Sequence, residues 1–159
     1  MSTPISAPQV ATPENTPTFQ IQRVYLKGIS LEIPNAPQVF LEQDQFQVNF
    51  NLQSTVTKLE GDSTEVALRG TVEAVRGDKH IFVLEVDQAG IFEIKNVPAD
   101  QIEQILEVTC PTILTPYLRT QITNTLLQSS MPQFMLPEIN WLAGYLQRQQ
   151  QKSANDPKH

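Results

Sequence analysis

Phe46-Gln47-Val48-Asn49-Phe50-Asn51-Leu52 alternates apolar and polar residues without a slip. A period of two puts the apolar side chains on one face and the glutamine and asparagines on the other, so the stretch predicts a half-buried β-strand. Upstream, Phe19, Ile21, Tyr25, Ile29 and Leu31 share one parity, but Val24 and Leu26 break it. That strand must bulge or be covered on both faces. Between the two lies a turn-rich stretch, Pro34-Asn35-Ala36-Pro37. Downstream, Gly61-Asp62-Ser63 marks a turn, and Val66, Leu68, Val72 and Ala74 again share one parity. Gly77-Asp78 is a hairpin signal before a fourth strand, Ile81 to Val86, which is apolar on both parities until Glu85. A doubly apolar strand needs helices on one side or a partner subunit.

Further along, the period changes. Ile102, Ile105 and Leu106 form a short helical pattern after Pro98, and Leu114, Leu118, Ile122 and Leu126 recur every four residues. Pro111 and Pro116 belong near a first helical turn, so the firm helix is expected to start with Thr115 as cap and Pro116 at the next position. Pro132 and Pro137 bracket a connector, and a last helix is expected from about Glu138 through Ile139, Trp141, Leu142, Tyr145 and Leu146. Four strands followed by helices make an α+β chain. One domain is expected over 18–150, with a disordered Pro-rich leader at 1–17 and a disordered tail at 151–159.

The 159 residues carry a net charge of −6, which disfavours nucleic acid as a partner and favours basic protein surfaces. The single cysteine, Cys110, allows no internal disulfide. No apolar run reaches the roughly 18–20 residues of a membrane span, and the N-terminus has neither the basic nor the apolar region of a secretory signal. A cytoplasmic protein without membrane insertion is expected. His80 and His159 have no ligand-spaced neighbours, Cys110 precedes a proline at a helix start, and the glycines form no phosphate-cradling loop. No enzyme, metal or cofactor is expected. Trp141, Tyr145 and the phenylalanines either form core or line a groove for extended apolar polypeptide, and the pattern leaves both open. Glu32 and Glu85 either mark strand ends facing water or, with Val83, form a patch for a basic partner.

Several blocks together resemble the SecB family of bacterial protein-export chaperones over about 19–146. They are Phe19-Gln20-Ile21-Gln22-Arg23-Val24-Tyr25, Pro34-Asn35-Ala36-Pro37-Gln38-Val39-Phe40, Glu85-Val86 with Gly90-Ile91-Phe92, the run from Cys110 to Arg119, and Pro132-Gln133 followed by Ile139-Asn140-Trp141. The resemblance implies a four-stranded antiparallel sheet with a long helix and a C-terminal helix on one face, assembled as a dimer of dimers. It implies an ATP-independent holdase that keeps unfolded preproteins translocation-competent and delivers them to the SecA motor. A SecB-like chaperone for a toxin–antitoxin pair, or a general stress holdase, is the alternative it leaves open.

Carried over by residue, the resemblance assigns SecA docking to Glu32, Val83 and Glu85. It assigns the unfolded-client groove to Phe40, Val48, Phe50, Leu52, Phe92, Trp141 and Tyr145, and the subunit interface to Leu114, Leu118, Ile122 and Leu126. The chain departs from the family at Gly28, where many members carry an aspartate. It departs also in the tail, where Arg148, Lys152 and Lys158 outweigh Asp156.

Overall fold

The computed structural model describes residues 15–155. Four strands, β1 (Thr18–Glu32), β2 (Gln47–Lys58), β3 (Ser63–Arg76) and β4 (Lys79–Lys95), form one antiparallel sheet in the order β1-β4-β3-β2. The two hairpins β2–β3 and β3–β4 are local. The chain between β1 and β2 instead crosses from one edge to the other, through a 3-10 turn at Gln38–Leu41, giving a Greek-key order. Gly77, at φ 57°, supplies the left-handed residue that the tight β3–β4 loop requires.

The parity slip in β1 is two register shifts against β4, between Ile21 and Arg23 and between Leu26 and Gly28. Both shifts keep apolar residues on the helix side, where Ile21 pairs with Phe92, Val24 with Gly90 and Ile29 with Val86. The doubly apolar fourth strand lies inside the sheet between β1 and β3, one face under the helices and the other on the open side.

α1 (Ala99–Gln104), a π-helical turn (Ile105–Thr109) and α2 (Cys110–Gln128) form one unbroken helix. This corrects the expected start at Thr115: Thr115 is buried mid-helix and Pro116 lies inside it. The wide π turn carries the chain into Pro111 without a break. The hydroxyls of Thr112 and Thr115 donate to the carbonyls of Val108 (2.6 Å) and Pro111 (2.7 Å), close to where the prolines supply no N–H.

α2 lies across β3 and β4, and two glycines make room for it. A Cβ on Gly70 would sit 3.3 Å from both Leu118 methyls, and one on Gly90 only 2.9 Å from the Phe92 ring and 3.1 Å from Leu114. The chain then runs without helix or strand over 131–140, laying Phe134 against Phe50 with ring centroids 5.4 Å apart. α3 (Trp141–Asn155) starts three residues later than expected, because Asn140 caps it by accepting the Ala143 N–H at 2.9 Å. It also runs past the expected boundary at 150: residues 151–155, assigned to a disordered tail, are helical. Arg148 and Lys152 reach Glu107 (3.5 Å) and Glu103 (3.6 Å), so these two basic residues, the second of them expected in the disordered tail, tie α3 to the α1–π segment. The leader up to residue 14 and the end from residue 156 lie outside the described residues. Among the described residues no helix is long and apolar enough to cross a membrane.

Candidate client and partner surfaces

The helix side of the sheet is closed over β3 and β4 and open towards β2. Phe50 and Leu52 are half-buried there, while Val48, Phe46 and Phe40 are exposed. Phe40 and Phe46 share a cleft of about 250 Å³ with Val39, Ile81, Met131 and Pro132. From that cleft the row Phe46, Val48, Phe50, Leu52 continues along β2, because every second residue returns to one face. Arg76 closes the rim, donating to Glu42 at 2.6 Å and to the Asp44 carbonyl at 2.9 Å.

Phe40, Val48, Phe50 and Leu52 therefore belong to one apolar strip. Phe92 does not: it is fully buried, packed beneath Leu114 and stacked on Phe19 at 5.8 Å. Its register with Ile21 and Thr64 places it in the interior, where no client side chain reaches. Tyr145 is buried as well. Trp141 is half-buried and lines a separate depression of about 140 Å³ with Thr112, Pro116, Arg119, Glu138 and Ile139, its indole N–H donated to Thr115. The residue reading passed over the connector. Met131 and Phe134 line or flank the strip, and Met135 is 74% exposed. An apolar run between Pro132 and Pro137, with no helical or strand period, was the signal available.

The interface assignment is corrected too. Leu114, Leu118, Ile122 and Leu126 have no exposed surface, since the chain's own β3 and β4 cover them. A second subunit cannot bury what one subunit has already buried. Exposed apolar surface lies instead on the edge strand β1, where Phe19, Ile21, Leu26 and Ile29 are each 37–44% exposed on the helix side, and on the outer face of α2, where Tyr117 and Leu127 are 49% and 67% exposed.

The opposite face of the sheet is mostly polar and, among the described residues, carries no helix. There Glu32 pairs directly with Val83, and Glu85, two residues along β4, pairs with Ser30. The three residues expected to dock a partner thus form one patch at one end of this face. Towards the other end the charges are matched. Asp87 accepts two bonds from Arg69 (2.7 and 3.0 Å), which holds its carboxyl below the usual range. Glu65 takes Lys27 at 2.7 Å and the Tyr25 hydroxyl; these bonds lower the Glu65 pKa, while burial and that carboxylate push Tyr25 up to about 12. Gly28 sits opposite Asp87 on this face. Glu32 and Glu85 enter none of the ion pairs among the described residues. Glu85 adds a Coulombic pull on Arg69, whose guanidinium is committed to Asp87.

Chemistry is sparse elsewhere. Cys110 is fully buried, and burial pushes its thiol up to about 12, away from the thiolate a nucleophile needs. His80 is held by Glu73 at 2.7 Å. Among the described residues no group of histidine, cysteine and acidic side chains is placed to hold a metal.

Comparison with known proteins matches residues 12–152 to the family described as Preprotein translocase subunit SecB. A protein of Nitrosomonas eutropha named Protein-export protein SecB is 44% identical over 147 residues, covering 91% of this chain and 92% of that one. Another of the same name, from an Acidovorax species, is 47% identical over 136 residues, covering 86% and 91%. Among solved structures, a SecB-like chaperone of Mycobacterium tuberculosis, in complex with a peptide from an antitoxin, superposes with a TM-score of 0.62 at 12% identity. It covers 77% of this chain and 91% of that one. That likeness is one of fold.

Proposed function

This chain belongs to the SecB family of protein-export chaperones, and on that premise we propose how its surfaces divide the work. The strip from Phe40 through Phe46, Val48, Phe50 and Leu52 holds unfolded preprotein. Its aromatic and aliphatic side chains contribute area without demanding a particular client sequence. Beside the strip runs the free edge of β2, twelve residues without proline, bulge or a charge before Lys58. Such an edge offers main-chain donors and acceptors to any extended chain, the second ingredient of sequence-tolerant binding. Neither ingredient needs nucleotide, so holding is ATP-independent. A client that folds buries its own apolar residues and leaves.

The open-face patch of Glu32, Val83 and Glu85 is the docking site for the SecA motor, an apolar contact flanked by carboxylates with no cation of their own. Copies of the chain assemble in the cytoplasm through the apolar edge of β1, towards a tetramer in which several strips act on one client by effective concentration. The relatives at 44–47% identity carry the export name, which favours preproteins over a toxin–antitoxin pair as clients.

The observation that carries the reading is the exposed apolar strip beside an unprotected strand edge. Size-exclusion chromatography with light scattering tests it, with and without a chemically unfolded precursor, followed by SecA. The expected result is a species near four times 17.9 kDa that takes up the unfolded precursor, ignores the folded one and then binds SecA. Client uptake without SecA binding returns the reading to a general holdase; indifference to unfolded protein overturns it.

A further inference from the structure

α3 is held to the body by little for its length. Of its fifteen residues only Tyr145 is buried among the described residues, while Leu142 and Leu146 are exposed. Its ties lie at 141, 145, 148, 149 and 152, a spacing that returns to one helix face. The first two are the indole N–H on Thr115 and the buried tyrosine. The rest are polar: Arg148 to Glu107 at 3.5 Å, Gln149 to Glu103 at 3.2 Å, and Lys152 to the same Glu103 oxygen at 3.6 Å. The four charged side chains are 36–68% exposed, so water and salt reach both pairs. What lies beneath is apolar: α3 packs on the π turn, where Ile105, Leu106 and Val108 are half-buried. We infer that α3 is a strap over a second client-holding surface, kept down by its ion pairs to Glu103 and Glu107 and lifted when an unfolded chain takes its place on the π turn.

The path from the strip to this surface is short in the chain. Phe134 of the connector lies on Phe50, Leu136 is buried, and Asn140 caps α3. Trp141 stays tied to Thr115, and Gly144 stands between it and the latched part, so the bend falls where the helix resists it least. Lifting the part from Tyr145 onward breaks solvent-reached pairs whose charges regain water, and it gives up the burial of one aromatic ring. An extended client offers several apolar side chains for the same ground, so it binds the lifted state better and draws the strap up. A latch that holds the strap down part of the time lowers apparent client affinity by the fraction closed. Ionic strength therefore sets how much of this surface a client finds.

This inference rests on the client-holding reading of the strip, and the experiment separates the two. In the full chain, Glu103→Gln with Glu107→Gln removes the ion pairs. Glu103→Cys with Gln149→Cys, joined by a short bismaleimide, fixes the strap, and Cys110 is too buried to compete for the reagent. Hydrogen exchange over 145–155 and binding of a chemically unfolded precursor are measured at about 50 and 500 mM salt. Salt acts on the precursor equally for every protein and divides out. Relative to the double glutamine variant, wild type is expected to gain roughly two- to fivefold in α3 exchange and in precursor affinity as salt rises. The joined protein should bind several-fold more weakly than the same protein before joining. If joining stops α3 exchange and leaves precursor affinity unchanged, or if the glutamine variant binds no better than wild type at low salt, this inference is wrong; the strip reading then stands as long as Phe40→Ala weakens binding. If Phe40→Ala has no effect either, both fall.

Discussion

Trp141 donates its indole N–H to the Thr115 hydroxyl across 2.9 Å, and that hydroxyl donates in turn to the Pro111 carbonyl at 2.7 Å. One threonine therefore serves two elements, closing an acceptor inside the proline-bearing helix and fixing where α3 begins. Thr115→Val keeps the shape but leaves the indole N–H unpaired in a half-buried site, at a cost of about 1–2 kcal/mol. Thermal unfolding should move down accordingly, and Trp141 emission should shift to the red as α3 loosens. Unchanged emission would mean that packing alone places the helix.

The strip assignment is tested by two phenylalanines with opposite burial. Phe40 is 48% exposed and Phe92 is not exposed at all. Phe40→Ala should weaken binding of an unfolded client several-fold while leaving the unfolding midpoint nearly in place. Phe92→Ala should instead cost about 3–5 kcal/mol of stability by emptying the core beneath Leu114. Denaturant titration and client titration on the same two variants give the answer. A Phe92→Ala protein of wild-type stability with impaired client binding would restore Phe92 to the groove.

Parity could read the bulges of β1, because Val24 and Leu26 broke it visibly. It could not read that β1 pairs with β4, the last strand, since nothing local distinguishes one edge pairing from another. The stripe Leu114/Leu118/Ile122/Leu126 marked a buried face correctly, but a periodicity does not say which surface does the burying. Here Gly70 and Gly90 decide it, by letting α2 sit close to its own sheet. Continuity through Pro111 was illegible for a related reason: a π turn has no residue signature, and it carries the chain into that proline without a break; Pro116 lies beyond it, inside the α-helical part. That Val83 and Glu85 share a face was legible, since they stand two apart on one strand; Glu32 joined them only through the family resemblance, because its place beside Val83 depends on the β1–β4 register.

Assembly should respond to β1 and not to the inward stripe of α2. Ile21 and Ile29 are 43% and 44% exposed on the edge strand, so Ile21→Lys combined with Ile29→Lys adds charge to surface that a single subunit leaves in water. Light scattering should find smaller species with unchanged circular dichroism. Leu118→Ala, by contrast, should cost about 2–5 kcal/mol within each subunit, with any change of assembly following the loss of folded protein. Wild-type assembly in the double variant would move the interface off this edge.

The cluster of Tyr25, Lys27 and Glu65 on the open face predicts limits of stability at both ends of the pH scale. The Glu65 carboxyl is held below its ordinary value of 4.5, first by the Lys27 hydrogen bond and then by that of Tyr25. A depressed folded-state pKa means the unfolded chain takes up the proton first on acidification. The stability this carboxylate contributes is therefore complete above 4.5 and is lost as pH falls through the folded value. Tyr25 runs the other way. Its pKa rises from 10.0 to about 12, by burial first and by Glu65 second, so the unfolded chain loses the phenolic proton first and stability falls as pH climbs through that interval. Denaturant midpoints measured against pH should decline at both ends in wild type. Glu65→Gln should flatten the acid limb that Glu65 supplies, leaving what Asp87 contributes through Arg69, and Tyr25→Phe should flatten the alkaline limb while also reducing the acid limb by the share its hydroxyl gives Glu65. A Tyr25→Phe protein with the full alkaline decline would show that the phenol titrates without regard to its place in the sheet.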